Sequence, residues 1–194
     1  MFILYGLLAG FAAGLALGGR PGALAELRLR WIPLILAGFV VQAILFWGAV
    51  SDRVGALGPM LYVGSTALVF AAVLRNCRLP GLPLVAAGAA GNLAAIIANG
   101  GYMPASQGAL AAVGRVLTST YSNSAVIAHP ALEPLTDIFG LPRWIPLSNV
   151  FSIGDICIAT GGAVVVAWAM WQSRTTPLGE GSSRPVVPEH TGNR

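Results

Sequence analysis

Apolar residues fall into five long stretches, at about 2–18, 31–50, 57–74, 80–98 and 149–172, with short polar linkers between most of them. Each stretch approaches the ~20 residues that an α-helix needs to cross the hydrocarbon core of a bilayer. The pattern predicts an all-α fold: a polytopic membrane helix bundle of about five transmembrane helices, occupying 1–172. One long segment, 99–148, lies between the fourth and fifth stretches. It carries Leu110, Val113 and Leu117 at helical spacing, with Pro104 suited to a first helical turn. A second apolar set, Leu132, Leu135, Ile138 and Phe139, predicts a short helix on the membrane surface. A structureless loop of that length is unusual, so an outer cap of short interfacial or re-entrant helices is expected. The remaining 173–194, rich in Pro, Gly, Ser and charge, has little to bury and is expected to form a disordered cytoplasmic tail.

Composition strengthens the membrane expectation. Charged residues make up 9% of the chain, against about 25% in a soluble domain, and mean hydropathy is +0.75. All 11 basic residues are Arg, and the net charge of +4 is dispersed, which argues against a nucleic-acid surface. Arg20, Arg28, Arg30, Arg75 and Arg78 fall in two linkers, Arg174 follows the last stretch, and Asp52 cancels Arg53 in a third linker. The positive-inside rule then places the amino terminus outside and the carboxyl terminus in the cytoplasm, with Arg115 and Arg143 against the trend. Trp47 and Trp144 fall near the outer face, and Trp31, Trp168 and Trp171 near the inner one, as aromatic belts require. The apolar start, MFILYGLLAG, lacks a basic leader and reads as a first span rather than a cleaved signal peptide. Cys77 in a basic loop and Cys157 within a span point to neither a disulfide nor a metal site.

Polar residues inside the apolar stretches are the candidate chemistry. Asp155 is the one charge within them, and a carboxylate at a helix centre in lipid costs roughly 2.5–3.5 kcal/mol. With the last span starting near Val150, Asp155 lies about 8 Å inside its outer end. Ser152 shares its face, and the fourth span carries a small and polar stripe of Gly88, Asn92, Ala95 and Asn99. Packed together, these give a polar column opening outward: Gln42 and Asn92 deep, Asp155 and Ser152 above, Asn99 at the mouth. One account is a ligand-binding or proton-linked site; the other is helix glue, worth about 0.6–2 kcal/mol per bond. For Asp155 the first-turn N–H groups, Ser152 and the helix dipole offer a purely structural explanation.

Gly6, Gly10, Gly14 and Gly18 repeat every four residues and allow another helix to approach at backbone distance. Packing within the chain is the first reading, and a homo-oligomer the second. Asn99-Gly-Gly-Tyr-Met-Pro104 reads as a sharp chain reversal, with a re-entrant turn lining a cavity as its functional alternative. His129, Glu133 and Asp137 recur at four-residue spacing, but Pro130 and Pro134 compromise a helix, so a solvated polar face is favoured over a metal site. No cofactor, nucleotide or protease motif occurs in the sequence.

Four motifs, Gly91-Asn92, Asn99–Pro104, Leu135-Thr136-Asp137 and Phe151-Ser152-Ile153-Gly154-Asp155, appear in this order. On them the chain resembles an uncharacterised family of small bacterial multi-pass membrane proteins, a domain of unknown function, over about 1–172. The resemblance implies a helical fold in the bacterial inner membrane and supplies no activity or catalytic residue. The first functional reading is therefore non-catalytic binding of a small polar or amphiphilic ligand, or of a partner, in the outer half of the bundle. A transporter or channel component with Asp155 as the protonatable site comes second. A membrane enzyme acting on a lipid-linked substrate, with Asp155 or Asp137 as acid or base, comes third. The expected partners are the lipid bilayer, a small ligand or lipid, and a second copy through the glycine face; no cofactor, metal or nucleic acid is expected.

Overall fold

The computed structural model describes residues 2–51, 53–114 and 124–172. Arg115, Leu117, Asp52 and the 173–194 tail, with the expectations attached to them, lie outside these residues. The described chain is mostly helical. Its elements are α1 (Phe2–Ala16), a 3-10 turn (Pro21–Glu26), α2 (Ile32–Leu45), the short α3 (Gly48–Ser51), α4 (Leu57–Arg75) and α5 (Leu82–Ala98). There follow β1 (Met103–Pro104), α6 (Gln107–Val113), β2 (Ser124–Ala125), a 3-10 turn (Glu133–Leu135), β3 (Phe139–Gly140), β4 (Val150–Phe151) and α7 (Ile153–Gln172). Two helices, α4 and α7, are long and apolar enough to cross a membrane; α1, α2 and α5 are apolar but shorter.

The five longer helices pack as neighbours in the order α1, α7, α5, α4, α2. The glycines explain why α7 sits at this hub. A Cβ on Gly6 would lie 2.6 Å from the Ala159 carbonyl oxygen, and one on Gly10 would lie 2.5 Å from Ala163 Cα. Gly14 likewise abuts Met170, so three of the repeated glycines face α7 in the same chain. Gly18 has a different role. It takes φ 73° and ends α1, with Gly18 and Gly19 N–H donating to the Leu15 and Gly14 carbonyls, both at 2.8 Å. On the other side of α7, Gly88 meets Gly154 and Gly81 meets Gly161 at backbone distance.

The same stop closes α5. Gly100 and Gly101 have φ 70° and 89°, and Gly101 N–H donates to the Ile96 carbonyl at 2.8 Å. The Asn-Gly-Gly sequence is thus a chain reversal, and it delivers the chain into a cap whose described residues are 99–114 and 124–152. At the opposite end, buried Asn76 holds two linkers together. Its Oδ1 accepts from Arg30 N–H at 2.7 Å, while Nδ2 donates to the Arg30 and Ala72 carbonyls at 2.8 and 2.7 Å.

The cap contains one expected short helix, α6, which carries Leu110 and Val113, and otherwise differs from expectation. Pro104 lies in β1, paired in parallel with β2, rather than in a helical turn, because its carbonyl accepts from Asp137 N–H. The set Leu132 to Phe139 forms one 3-10 turn and then an extended run into β3, which pairs antiparallel with β4. Pro134 and the left-handed Leu132 (φ 54°) are incompatible with a longer helix there. The last helix begins at Ile153, after the β4 strand, rather than near residue 149. Between bundle and cap lies a core of Leu45, Tyr62, Ala95, Ile96 and Met103.

A direct consequence concerns helix approach. Gly10→Leu, directed into the Ala163 backbone, should lower stability by about 3 kcal/mol, since neither backbone can yield. Gly64→Ala, which faces open space in α4, should raise it by about 0.5–1 kcal/mol. Chemical denaturation in detergent compares the two; equal effects would contradict backbone-distance packing.

Candidate functional site

Ser152 precedes the first turn of α7 and Asp155 is its third residue. Ser152 Oγ accepts from the Asp155 backbone N–H at 3.0 Å, and Asp155 Oδ2 accepts from the Ser152 backbone N–H at 3.2 Å. This reciprocal capping box satisfies two N–H groups that the helix start leaves without partners. It also places Asp155 only about 4 Å into the helix, half the depth expected from the sequence.

From α5, Asn92 joins both capping groups. Its Nδ2 donates to Asp155 Oδ1 at 2.9 Å, and its Oδ1 accepts from Ser152 Oγ at 2.9 Å. The three residues form a closed set: Asn92 bonds both side chains, and Ser152 and Asp155 are joined through each other's backbone N–H. Close approach is possible because Gly88 and Gly154 face each other beside it.

The other column candidates sit elsewhere. Gln42 Nε2 donates to Thr66 Oγ1 at 3.3 Å, joining α2 to α4 two helices away from α7. Asn99 clamps the cap backbone: Nδ2 donates to the Ala95 and Ala131 carbonyls at 2.8 and 2.9 Å, and Oδ1 accepts from Ala131 N–H at 2.9 Å. No continuous polar column therefore runs from Gln42 to Asn99.

Asp137, proposed from sequence only as an outer-segment acid, is brought to the network instead. It is buried, and the cap backbone holds it, with its N–H on the Pro104 carbonyl at 2.9 Å and its carbonyl accepting from Ser106 N–H at 3.0 Å. Burial pushes its carboxyl from the usual 3.8 up to about 7, and the neighbouring Asp155 carboxylate adds to the rise. His129 and Glu133 are exposed whereas Asp137 is buried, so the three do not share a face. No cluster of three metal-ligating side chains occurs among the described residues.

On the far side of the Asp137 strand lies a cavity of about 370 Å³ that includes Ser106, Gln107, Glu133, Thr136 and Ile138 in its wall. Thr136 and Ile138 face this cavity, so the alternation of an extended chain turns Asp137 the other way, toward Asp155. The extended segment through Asp137 thus lies between this cavity and the half-buried Asp155. Ser106 caps α6 by accepting from Ala109 N–H at 3.1 Å, and Thr136 Oγ1 fixes the adjoining turn by donating to the Glu133 carbonyl at 2.7 Å. The sequence marks this cavity only through short polar residues beside prolines, which is also how an ordinary loop reads.

The raised Asp137 value fixes the sign of a pH effect. The folded protein retains a proton that the unfolded chain releases between about pH 4 and 7. That stabilisation is complete below 3.8 and is lost as pH rises through about 7, by up to about 1.4 kcal/mol per pH unit. Asp137→Asn should flatten stability across this window and leave the variant more stable than the parent at pH 8. Denaturation curves from pH 4 to 8 test it, and an unchanged slope would contradict the assignment.

Searches of curated proteins and of solved structures find no match to this chain. A family model matches residues 26–167, from the 3-10 turn after α1 to within α7, and includes Asn92, Asp137, Ser152 and Asp155. By that match, which spans more than half its length, the chain belongs to the family of unknown function DUF5317.

Proposed function

We propose that the chain is a non-catalytic binding protein of the bacterial plasma membrane, taking a small polar or amphiphilic ligand in its cap. In this reading all five long helices cross the bilayer, the amino terminus and cap face outward, and the carboxyl terminus is cytoplasmic. Support for the membrane comes from outward-facing apolar side chains, among them Leu8 at 55%, Leu36 at 58% and Phe39 at 55% exposure. Water disfavours such a surface and lipid does not. Arg20, Arg28, Arg30, Arg75 and Arg78 lie in linkers at the end away from the cap, whereas Arg53 and Arg143 lie at the capped end, in keeping with the positive-inside rule. Helices α1, α2 and α5 have 15, 14 and 17 residues, or about 21–26 Å. Flanking Leu17, Phe46 and Trp47 lengthen the apolar reach, and modest bilayer thinning accommodates the rest.

The observation that carries the binding reading is the cap cavity, whose volume falls in the range of small-ligand sites. By contrast, the Asn92–Ser152–Asp155 set is bonded within itself and offers a ligand less. Asp137 favours a second reading, a proton-linked transport component, in which it replaces Asp155 as the protonatable group. pH-driven flux in liposomes, lost in Asp137→Asn, would raise that reading above the first.

Native mass spectrometry of protein taken directly from membranes tests the binding reading. The expected result is a bound small molecule or lipid, lost when Ala128→Trp fills the cavity from its wall. Ligand-free parent protein, with no stabilisation by any of a panel of small polar and amphiphilic compounds, would overturn it.

A further inference from the structure

Among the described residues that line the cap cavity, Glu133 is the one that carries a charge. Among the described residues that line the cavity none is positively charged, and Glu133 has no ion pair among the described residues. Its backbone is fixed, because the Glu133 carbonyl accepts from both Thr136 N–H at 3.0 Å and Thr136 Oγ1 at 2.7 Å. Neutral polar groups share the lining. Ser106 Oγ accepts from Ala109 N–H and keeps its own proton to donate, and the Gln107 side chain is exposed with no partner among the described residues. Val126, Ile127 and Ile138 supply the apolar part of the wall.

Resting on the binding reading above, we infer that the cap cavity selects a small organic ammonium group, held by Glu133 and accompanied by a hydrogen-bonding substituent that meets Ser106 and Gln107. The charge sign follows from the lining. Among the described lining residues an anion would meet a carboxylate and no cation to offset it, and like charges brought together are disfavoured. A cation forms a charge-assisted hydrogen bond with that carboxylate, stronger than the neutral contacts around it. A bare metal ion is less well served, because a hard cation takes six or more oxygen ligands and one carboxylate stands here. The apolar wall suits the short carbon chain of an amino alcohol. That chemistry occurs both in a free amine and in an amine-bearing lipid headgroup.

Ethanolamine is the probe, titrated calorimetrically into full-length protein in nanodiscs of phosphatidylglycerol, with ethylene glycol as neutral isostere and glycolate as anion. Ethanolamine should bind, and bind at least about tenfold more tightly than either control, a margin that Glu133→Gln removes. Adding phosphatidylethanolamine to the discs separates the sources: competition identifies the lipid headgroup, and unchanged affinity identifies a free amine. Either result supports the ammonium assignment. Binding of glycolate or ethylene glycol in preference to ethanolamine, or an unaltered ethanolamine affinity in Glu133→Gln, would overturn the assignment while leaving a ligand site. Absence of binding by all three probes, in protein that also comes ligand-free from its native membrane, would overturn the binding reading itself.

Discussion

The first turn of α7 exposes backbone N–H groups with no partner inside the helix, and apolar surroundings offer them no water. Ser152 and Asp155 satisfy two of them reciprocally, and Asn92 fastens both side chains to α5. Because α7 is packed between α1 and α5, fixing its start also fixes the register of both contacts. Gly88 falls against Gly154, and Gly6 and Gly10 fall against Ala159 and Ala163. A shift of one residue would turn each glycine away and bring side chains into backbone contacts. An acid that looked costly in the sequence is therefore the group that sets the geometry of the central helix.

The cap follows from the same point. The residues entering Ser152 are β4, which pairs with β3, and the chain just before β3 carries Asp137, whose backbone is bonded to Pro104 and Ser106. Rings of Phe2, Phe139 and Phe151 stack where α1, β3 and β4 meet, with centroids 4.2 and 5.5 Å apart, and Tyr5 donates to the Pro146 carbonyl. Asn99 clamps the other side of the cap at Ala131. The result is a small lattice of backbone pairs, with Asp137 directed to the bundle and the cavity on its opposite face. Polar groups bonded within the structure lie inward, and the cavity lies outward.

How much of this was legible in the sequence depended on the range over which each signal acts. Apolar runs located all five long helices, because burial or lipid contact demands apolar residues over many turns. Gly6, Gly10 and Gly14 were legible as a packing face, but the partner was not, since α1 and α7 are distant in sequence. The start of α7 was placed too early because Val150 and Phe151 are apolar in a strand as they would be in a helix. Helical spacing marks α6 through Leu110 and Val113, whereas the two-residue β pairs contain no measurable alternation and read as helix. Gln42 and Asn99 were assigned to one column with Asn92 because depth can be read from sequence and lateral order cannot; α4 intervenes between α2 and α5. Asn76 carries no signal of its role in the sequence, because an Asn after a helix reads as an ordinary linker residue and its bonds to Arg30 are long-range.

Asn92 and Asp155 act as one structural unit at the start of α7, separate from the cap cavity. A double-mutant cycle on stability with Asn92→Ala, Asp155→Ala and the combined variant measures that unit directly. The account predicts a coupling of at least about 1 kcal/mol, as for groups sharing one hydrogen-bond network. Effects that add to within about 0.5 kcal/mol would show that the two side chains act independently and would contradict it.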